Sequence, residues 1–233
     1  MNKIGIIGAM EIEVETLKSH MQITNTLEKA SMTFLEGILN DIPVVIVRSG
    51  VGKVNAGICV QILSDVFHVT HMINTGVAGS LNAEINIGDI VVSTDALYHD
   101  VDATGFGYPV GEVPQLGTLS FAADAAMISQ AKASCELVNP EIKVFEGRIV
   151  SGDQFISSPQ VKDSILKNFP DSYCTEMEGA AIAHASWLNH IPFVIIRAIS
   201  DKADDSAHMD YPAFEKAAAE HSARLVEHMI SRL

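Results

Sequence analysis

Basic residues are scarce in this chain: 15 Lys and Arg stand against 29 Asp and Glu, a formal net charge of −14. Such a field repels nucleic acid and anionic lipid, which are bound through clustered cations, so no nucleic-acid and no membrane partner is expected. It also weighs against a highly phosphorylated substrate. Cysteine is equally sparse. Cys59, Cys135 and Cys174 are odd in number, scattered and without any C-x-x-C spacing, which argues against a disulfide framework or a zinc site. No apolar run approaches the ~20 residues that span a bilayer. The first apolar stretch, Ile4–Gly8, is short, broken by glycine and followed by acids, unlike the core of a signal peptide. Together these absences predict a cytoplasmic protein.

What the chain does have is apolar material for a core. Hydrophobic residues make up 48% of its 233 residues, enough for one sizeable core, so a single domain over 1–233 is the simplest reading. Short Ile- and Val-rich runs each end in a loop of Gly, Ser or Asp: Ile4–Ile7 before Gly8, Val44–Val47 before Ser49-Gly50, Met72-Ile73 before Asn74-Thr75-Gly76, Ile149-Val150 before Ser151-Gly152-Asp153, and Phe193–Ile196 before Ser200-Asp201. Runs of this length and composition read as buried strands. Asn40-Asp41 between two apolar stretches predicts a hairpin turn. Helical spacing lies between the strands: Ile12, Leu17 and Met21 on one face, an alanine-rich Ala180–Leu188, and a last helix capped by Asp210, with Pro212 just inside and a stripe of Phe214, Ala218, Leu225 and Met229. The pattern predicts an α/β fold, a mixed central sheet flanked by helices, with ligands bound beyond the carboxyl ends of its strands.

The loops at those ends carry the candidate chemistry. Gly5 and Gly8 do not form a dinucleotide fingerprint. Gly52-Lys53 looks like the end of a phosphate loop, but Val47 stands at the first glycine position and Val54 at the magnesium-binding hydroxyl, which argues against an NTPase. Glu11, Glu13, Glu15, Glu176 and Glu178 each sit where a helix begins, a common place for acids. Asp201 differs: it closes the most apolar strand, beside Ser200 and near Arg197, where a carboxyl is either buried in a network or functional. His68 and His71 lack a third ligand nearby, so no metal is expected.

Taken in order, the segments Ile4–Glu11 with Glu13, Ser49–Val54, Asn74-Thr75-Gly76, Gly88–Val91, Tyr98-His99-Asp100, Phe106-Gly107-Tyr108, Ser151–Ile156, Glu176-Met177-Glu178 and Arg197–Asp201 resemble the 5′-methylthioadenosine/S-adenosylhomocysteine nucleosidases over nearly the whole chain. The resemblance implies a nucleoside phosphorylase-like fold, a homodimer, and no metal or coenzyme. It implies catalytic roles for Asp201 as the acid that protonates adenine N7, for Glu13 as the base that activates water, and for Arg197 beside them. Substrate-binding roles fall on Phe155 and Ile156 for the base, Met177 and Glu178 for the ribose, and Ser200 for placing the acid. Met10, Val51, Phe106, Tyr108 and Pro114 would shape the 5′-alkylthio pocket, some of them lent by a neighbouring subunit. Where the family has serine in its Thr-Gly-Ser-Ala-Gly loop, this chain has Val77.

Three other readings compete. A phosphorylase on the same fold needs cations or hydroxyls for phosphate, yet Arg48 is the only arginine before Arg148, and Val77 removes a hydroxyl. A nucleoside sensor without catalysis would not need Glu13, Glu178, Arg197 and Asp201 together. A nucleosidase role on aminodeoxyfutalosine would share the ribose and adenine contacts.

Overall fold

Each of the apolar runs becomes a strand in the computed structural model, which describes residues 2–204 and 206–233, the side chains of 208 and 209 excepted. They are β1 (Ile4–Gly8), β4 (Ile42–Arg48), β5 (His71–Ser80), β8 (Val144–Ser151) and β10 (Phe193–Asp201). Strands β5 and β10 are almost wholly buried, the expected state of parallel strands covered on both faces. The hairpin of β3 (Met32–Leu39) and β4 turns at Asn40 and Asp41, both with positive φ, 49° and 64°. The strand β2 (Gln22–Lys29) pairs with β3 at the sheet edge and is largely exposed.

Sheet order places β1 between β4 and β5, all parallel, with the β2–β3–β4 antiparallel ribbon outside. On its other side β5 runs parallel to β10. The strand β10 is antiparallel to β6 (Ile90–Tyr98), which leads through β8 to β9 (Ser172–Glu176). The end of β9 then pairs antiparallel with the end of β5, Gly79 opposite Thr175. The five strands β5, β10, β6, β8 and β9 therefore form a closed ring from which the rest of the sheet extends, and a two-residue β7 (Phe121–Ala122) adds to β6.

Side-chain alternation along the strands feeds two apolar layers. Ile7, Val45, Val47 and Ile195 pack against α2 (Lys53–Asp65) and the alanine-rich α5 (Gly179–Leu188). Ile4, Ile6, Val44, Ile46, Val194 and Ile196 pack against α1 (Glu15–His20), α3 (Ala125–Val138) and α6 (Ala207–Ile230). A third, smaller cluster joins Leu97 and Val150 to Ile165 and Phe169 at α4 (Pro159–Asn168). The three cysteines are buried and unpaired. Among the described residues, no helix is long and apolar enough to cross a membrane.

The last helix departs from expectation. It starts at Ala207 rather than after Asp210: Asp204 Oδ1 accepts the backbone N–H of Ser206, and the one Ser206 hydroxyl lies between the carboxylates of Asp204 (2.8 Å) and Asp210 (2.5 Å). Pro212 consequently lies within the helix; its fixed φ is helical, and only one backbone donor is lost. Ala218, Leu225 and Met229 are buried as the stripe predicts, whereas Phe214 is exposed.

Candidate active site

The carboxyl ends of β1, β5, β8, β9 and β10 converge on one cavity of about 280 Å³, whose lining also includes Tyr211 of α6. That is close to the lower end of small-molecule sites, ~300–1,000 Å³, and far too small for a macromolecular ligand. Of the residues expected at a site, Met10, Glu13, Val51, Phe155, Ile156, Met177, Glu178, Ser200 and Asp201 all line it. So do Val77, Ala78, Gly79, Gln154, Thr175 and Glu176, which had been given no binding role. None of the lining side chains is Lys or Arg.

Glu13 ends a short 3-10 turn that folds back on β1. Its Oε2 accepts the backbone N–H groups of Ala9 (2.7 Å) and Met10 (2.9 Å), and its Oε1 accepts that of Val77 (3.0 Å). Burial raises its pKa, against the opposing pull of Arg197 and the three N–H donors. A Cβ at Gly76 would collide with both the Glu13 carboxylate and the Arg197 guanidinium, so only glycine fits there.

Asp201 is aimed by a bulge. The register between β10 and β5 slips after Ile199, and Asp201 comes to lie opposite Gly79. Its Oδ2 accepts the Ser200 hydroxyl at 2.9 Å and its Oδ1 the Ala203 N–H at 2.8 Å. Burial is the main cause that lifts its pKa; the two hydrogen bonds oppose it, and Asp210 and Asp204 add to it. A buried carboxyl of this kind holds a proton at higher pH than a free aspartate and can deliver it to a ligand.

On the opposite wall Glu178 opens α5, and its Oε1 accepts the Gly52 N–H at 2.8 Å. Its pKa is pushed up to about 7 by burial first and by neighbouring Glu176 second. Arg197, expected among the catalytic groups, stands behind the cavity wall and is fully buried. Its Nη2 donates to Asn74 Oδ1 (2.5 Å) and to Glu176, while Glu178 is 3.7 Å away. Asn74 in turn donates to the Ile7 carbonyl at 2.9 Å, tying the arginine to β1. Its burial opposes the charge, but Glu176, Glu178 and Glu13 together raise its pKa.

Phe155 and Tyr211 meet edge to face, ring centroids 5.8 Å apart, and the Tyr211 hydroxyl donates to Met10 Sδ at 3.3 Å. Tyr211 and Phe155 thus form an aromatic pair in the cavity lining. Phe106, expected in the alkylthio pocket, is 87% exposed, and neither it nor Tyr108 nor Pro114 lines the cavity of this single chain. Beneath the base-side loop, Lys53 donates to Asp100 (2.6 Å) from its ammonium and to Asp153 (2.9 Å) from its backbone, fastening α2 to the segment that carries Gln154–Ile156. The Lys53 bridge and the contacts of Glu176 are written in no local sequence pattern. The alternation Glu176-Met177-Glu178 at a strand end was the one available signal, since it sends both carboxylates to the same side.

A closed strand ring carrying paired, protonatable carboxyls around a nucleoside-sized cavity defines an α/β enzyme class built to act on small polar ligands. The sequence pattern of the Phosphorylase superfamily matches residues 3–231. A 5′-methylthioadenosine/S-adenosylhomocysteine nucleosidase of Staphylococcus aureus is 43% identical over 230 residues, 99% of this chain and 100% of the relative. The crystal structure of the Neisseria meningitidis nucleosidase of the same name, in complex with methylthio-immucillin-A, superimposes with a TM-score of 0.96 at 39% identity, covering 100% of both chains. That of Colwellia psychrerythraea, in complex with adenine, gives 0.96 at 40% identity over 100% of this chain and 96% of that one. The chain belongs to the phosphorylase superfamily and, within it, to the 5′-methylthioadenosine/S-adenosylhomocysteine nucleosidases.

Proposed function

We propose that the protein hydrolyses the N-glycosidic bond of 5′-methylthioadenosine and S-adenosylhomocysteine, with Asp201 as the acid and Glu13 as the base. The observation that carries this reading is the pair of buried carboxyls, Glu13 and Asp201, on one cavity whose lining holds no Lys or Arg to bind phosphate. Adenine leaves poorly as an anion. Asp201 gives its proton to N7, so that the C1′–N9 pair departs with a neutral base. Water attacks C1′ as the sugar takes on oxocarbenium character, and Glu13 takes the water proton, leaving adenine and the 5-thioribose. Anionic Glu178 accepts from both ribose hydroxyls and favours the positive sugar. Met177 packs on the ribose, Phe155 stacks on the base, main-chain groups at Phe155 and Ile156 read its edge, and Ser200 steers Asp201. Arg197 acts through the carboxylates it holds rather than on the substrate.

Met10 and Val51 border the 5′-alkylthio group. Phe106, Tyr108 and Pro114 reach that group from a second copy in a homodimer; the exposed Phe106 ring, uncovered within its own chain, supports this. The reaction belongs to methionine salvage and S-adenosylhomocysteine recycling in the cytoplasm and uses no metal or coenzyme.

The test is adenine release without phosphate, comparing methylthioadenosine, S-adenosylhomocysteine, 5′-deoxyadenosine and adenosine. Full activity without phosphate is expected; a strict phosphate requirement would replace hydrolysis by phosphorolysis. Sedimentation of the native protein tests the dimer.

A further inference from the structure

Three carboxylates, Glu13, Glu176 and Glu178, gather around the one arginine behind this cavity, and the arginine is not shared equally. Glu176 closes β9, is buried, and accepts four donors: the Ser151 hydroxyl on Oε1, and on Oε2 the N–H groups of Glu178 (3.1 Å) and Gly179 (2.7 Å) together with Arg197 Nη2. The close fit is built in. A Cβ on Gly179 would come within 3.0 and 3.1 Å of the two Glu176 oxygens, tighter than ordinary contact. Glu178, two residues on, receives a single backbone N–H, from Gly52, and lies 3.7 Å from the arginine that touches Glu176. The charged groups that face Glu178 are Glu176 on its own segment, Arg197 on β10 and Glu13 on the turn after β1.

We propose that Glu176 is a positioning residue that claims Arg197 for itself and so leaves Glu178 as the carboxylate that exchanges a proton with solvent before a nucleoside can bind. The proton lost from Glu178 goes to water, and the resulting anion accepts the ribose hydroxyls. This rests on the reading of Glu178 as the ribose clamp. The direction of the Glu178 shift agrees: after burial, Glu176 is the largest cause that raises it. A like charge at this range moves a carboxyl by about one pH unit or more. Neutralising Glu176 removes that repulsion and frees Arg197 for Glu178, and both effects lower the Glu178 titration.

The full chain labelled with 13C at glutamate carboxyls, free of ligand, provides the test. In the wild type the Glu178 signal, assigned with Glu178→Gln, is expected to titrate well above the ordinary carboxylate range. In Glu176→Gln it should move down by about one pH unit or more. A folded Glu176→Gln in which Glu178 does not move overturns the proposal. If that variant does not fold, the wild type decides, since a Glu178 that titrates as an ordinary carboxylate also overturns it. Ser151→Ala removes one hydrogen bond from Glu176 but no charge, and should leave the titration in place; a shift as large as that of Glu176→Gln would assign the effect to lost geometry and sink the proposal. The acid limb of kcat/KM on methylthioadenosine should follow the carboxyl in Glu176→Gln. A carboxyl that moves while the limb stays would leave the Glu176 effect intact and remove Glu178 from ribose binding.

Discussion

The backbone N–H of Val77 donates to Oε1 of Glu13 at 3.0 Å. The family's serine at this place is absent, but the donor that fixes the carboxylate is main chain and survives any side chain except proline. Val77 itself is buried against the α6 layer and borders the cavity.

Val77→Ser is therefore expected to change kcat by less than ~10-fold, because Glu13 keeps its three backbone donors. Its stability should fall by about 1 kcal/mol through lost apolar packing, read by urea denaturation. A rate gain well beyond that range would make the missing hydroxyl part of the mechanism.

Glu13→Gln and Asp201→Asn should each lower kcat by about 10²–10⁴-fold, the range of a lost general acid or base, while an adenine nucleoside still binds. Adenine-release kinetics and calorimetric titration separate the two quantities. An Asp201→Asn enzyme of full activity would remove the acid from the scheme.

Stability should depend on pH in a particular direction. Glu13, Glu178 and Asp201 all have pKa values raised by burial, so the folded chain binds more protons than the unfolded one above the ordinary carboxylate range. Stability contributed this way is present at low pH and is lost as pH rises through the folded values, for Glu178 up to about 7. Glu178→Gln should lose less thermal stability than the wild type between mildly acidic and mildly alkaline buffer. Parallel Tm curves for the two would contradict this.

Gly76→Ala should cost about 3 kcal/mol or prevent folding, since its methyl group meets the Glu13 carboxylate and the Arg197 guanidinium at once. Chemical denaturation measures the loss, and an unchanged midpoint would mean that the two charged groups are not packed as described.

The sequence made the strand ends legible because burial there is written in short Ile- and Val-rich runs, as in Ile4–Ile7 and Phe193–Ile196. Asp201 stood out against that background. The strand β9 did not, since Ser172-Tyr173-Cys174-Thr175-Glu176 mixes polar and apolar residues and its pairing is earned by partners far along the chain. Arg197 was read as a neighbour of the reaction, but its role depends on Glu176 and Asn74, contacts no local pattern encodes. The start of α6 was misjudged because Pro212 usually marks a first turn, while the Asp204–Ser206–Asp210 bonds fix the start further back.

The closed ring also sets the moment at which the enzyme comes into being. Met72 on β5 pairs with Phe193 on β10, so the ring cannot shut until β10 has been made. A nascent chain that stops before Phe193 already holds Glu13 and the β5 loop, but β5 then presents a bare, apolar flank, the kind of edge on which unfinished chains aggregate. Arg197 and Asp201 arrive on the strand that covers this flank. The strand that brings Asp201 to the cavity is thus also the one that shields the β5 flank, and both arrive in one late step of biosynthesis.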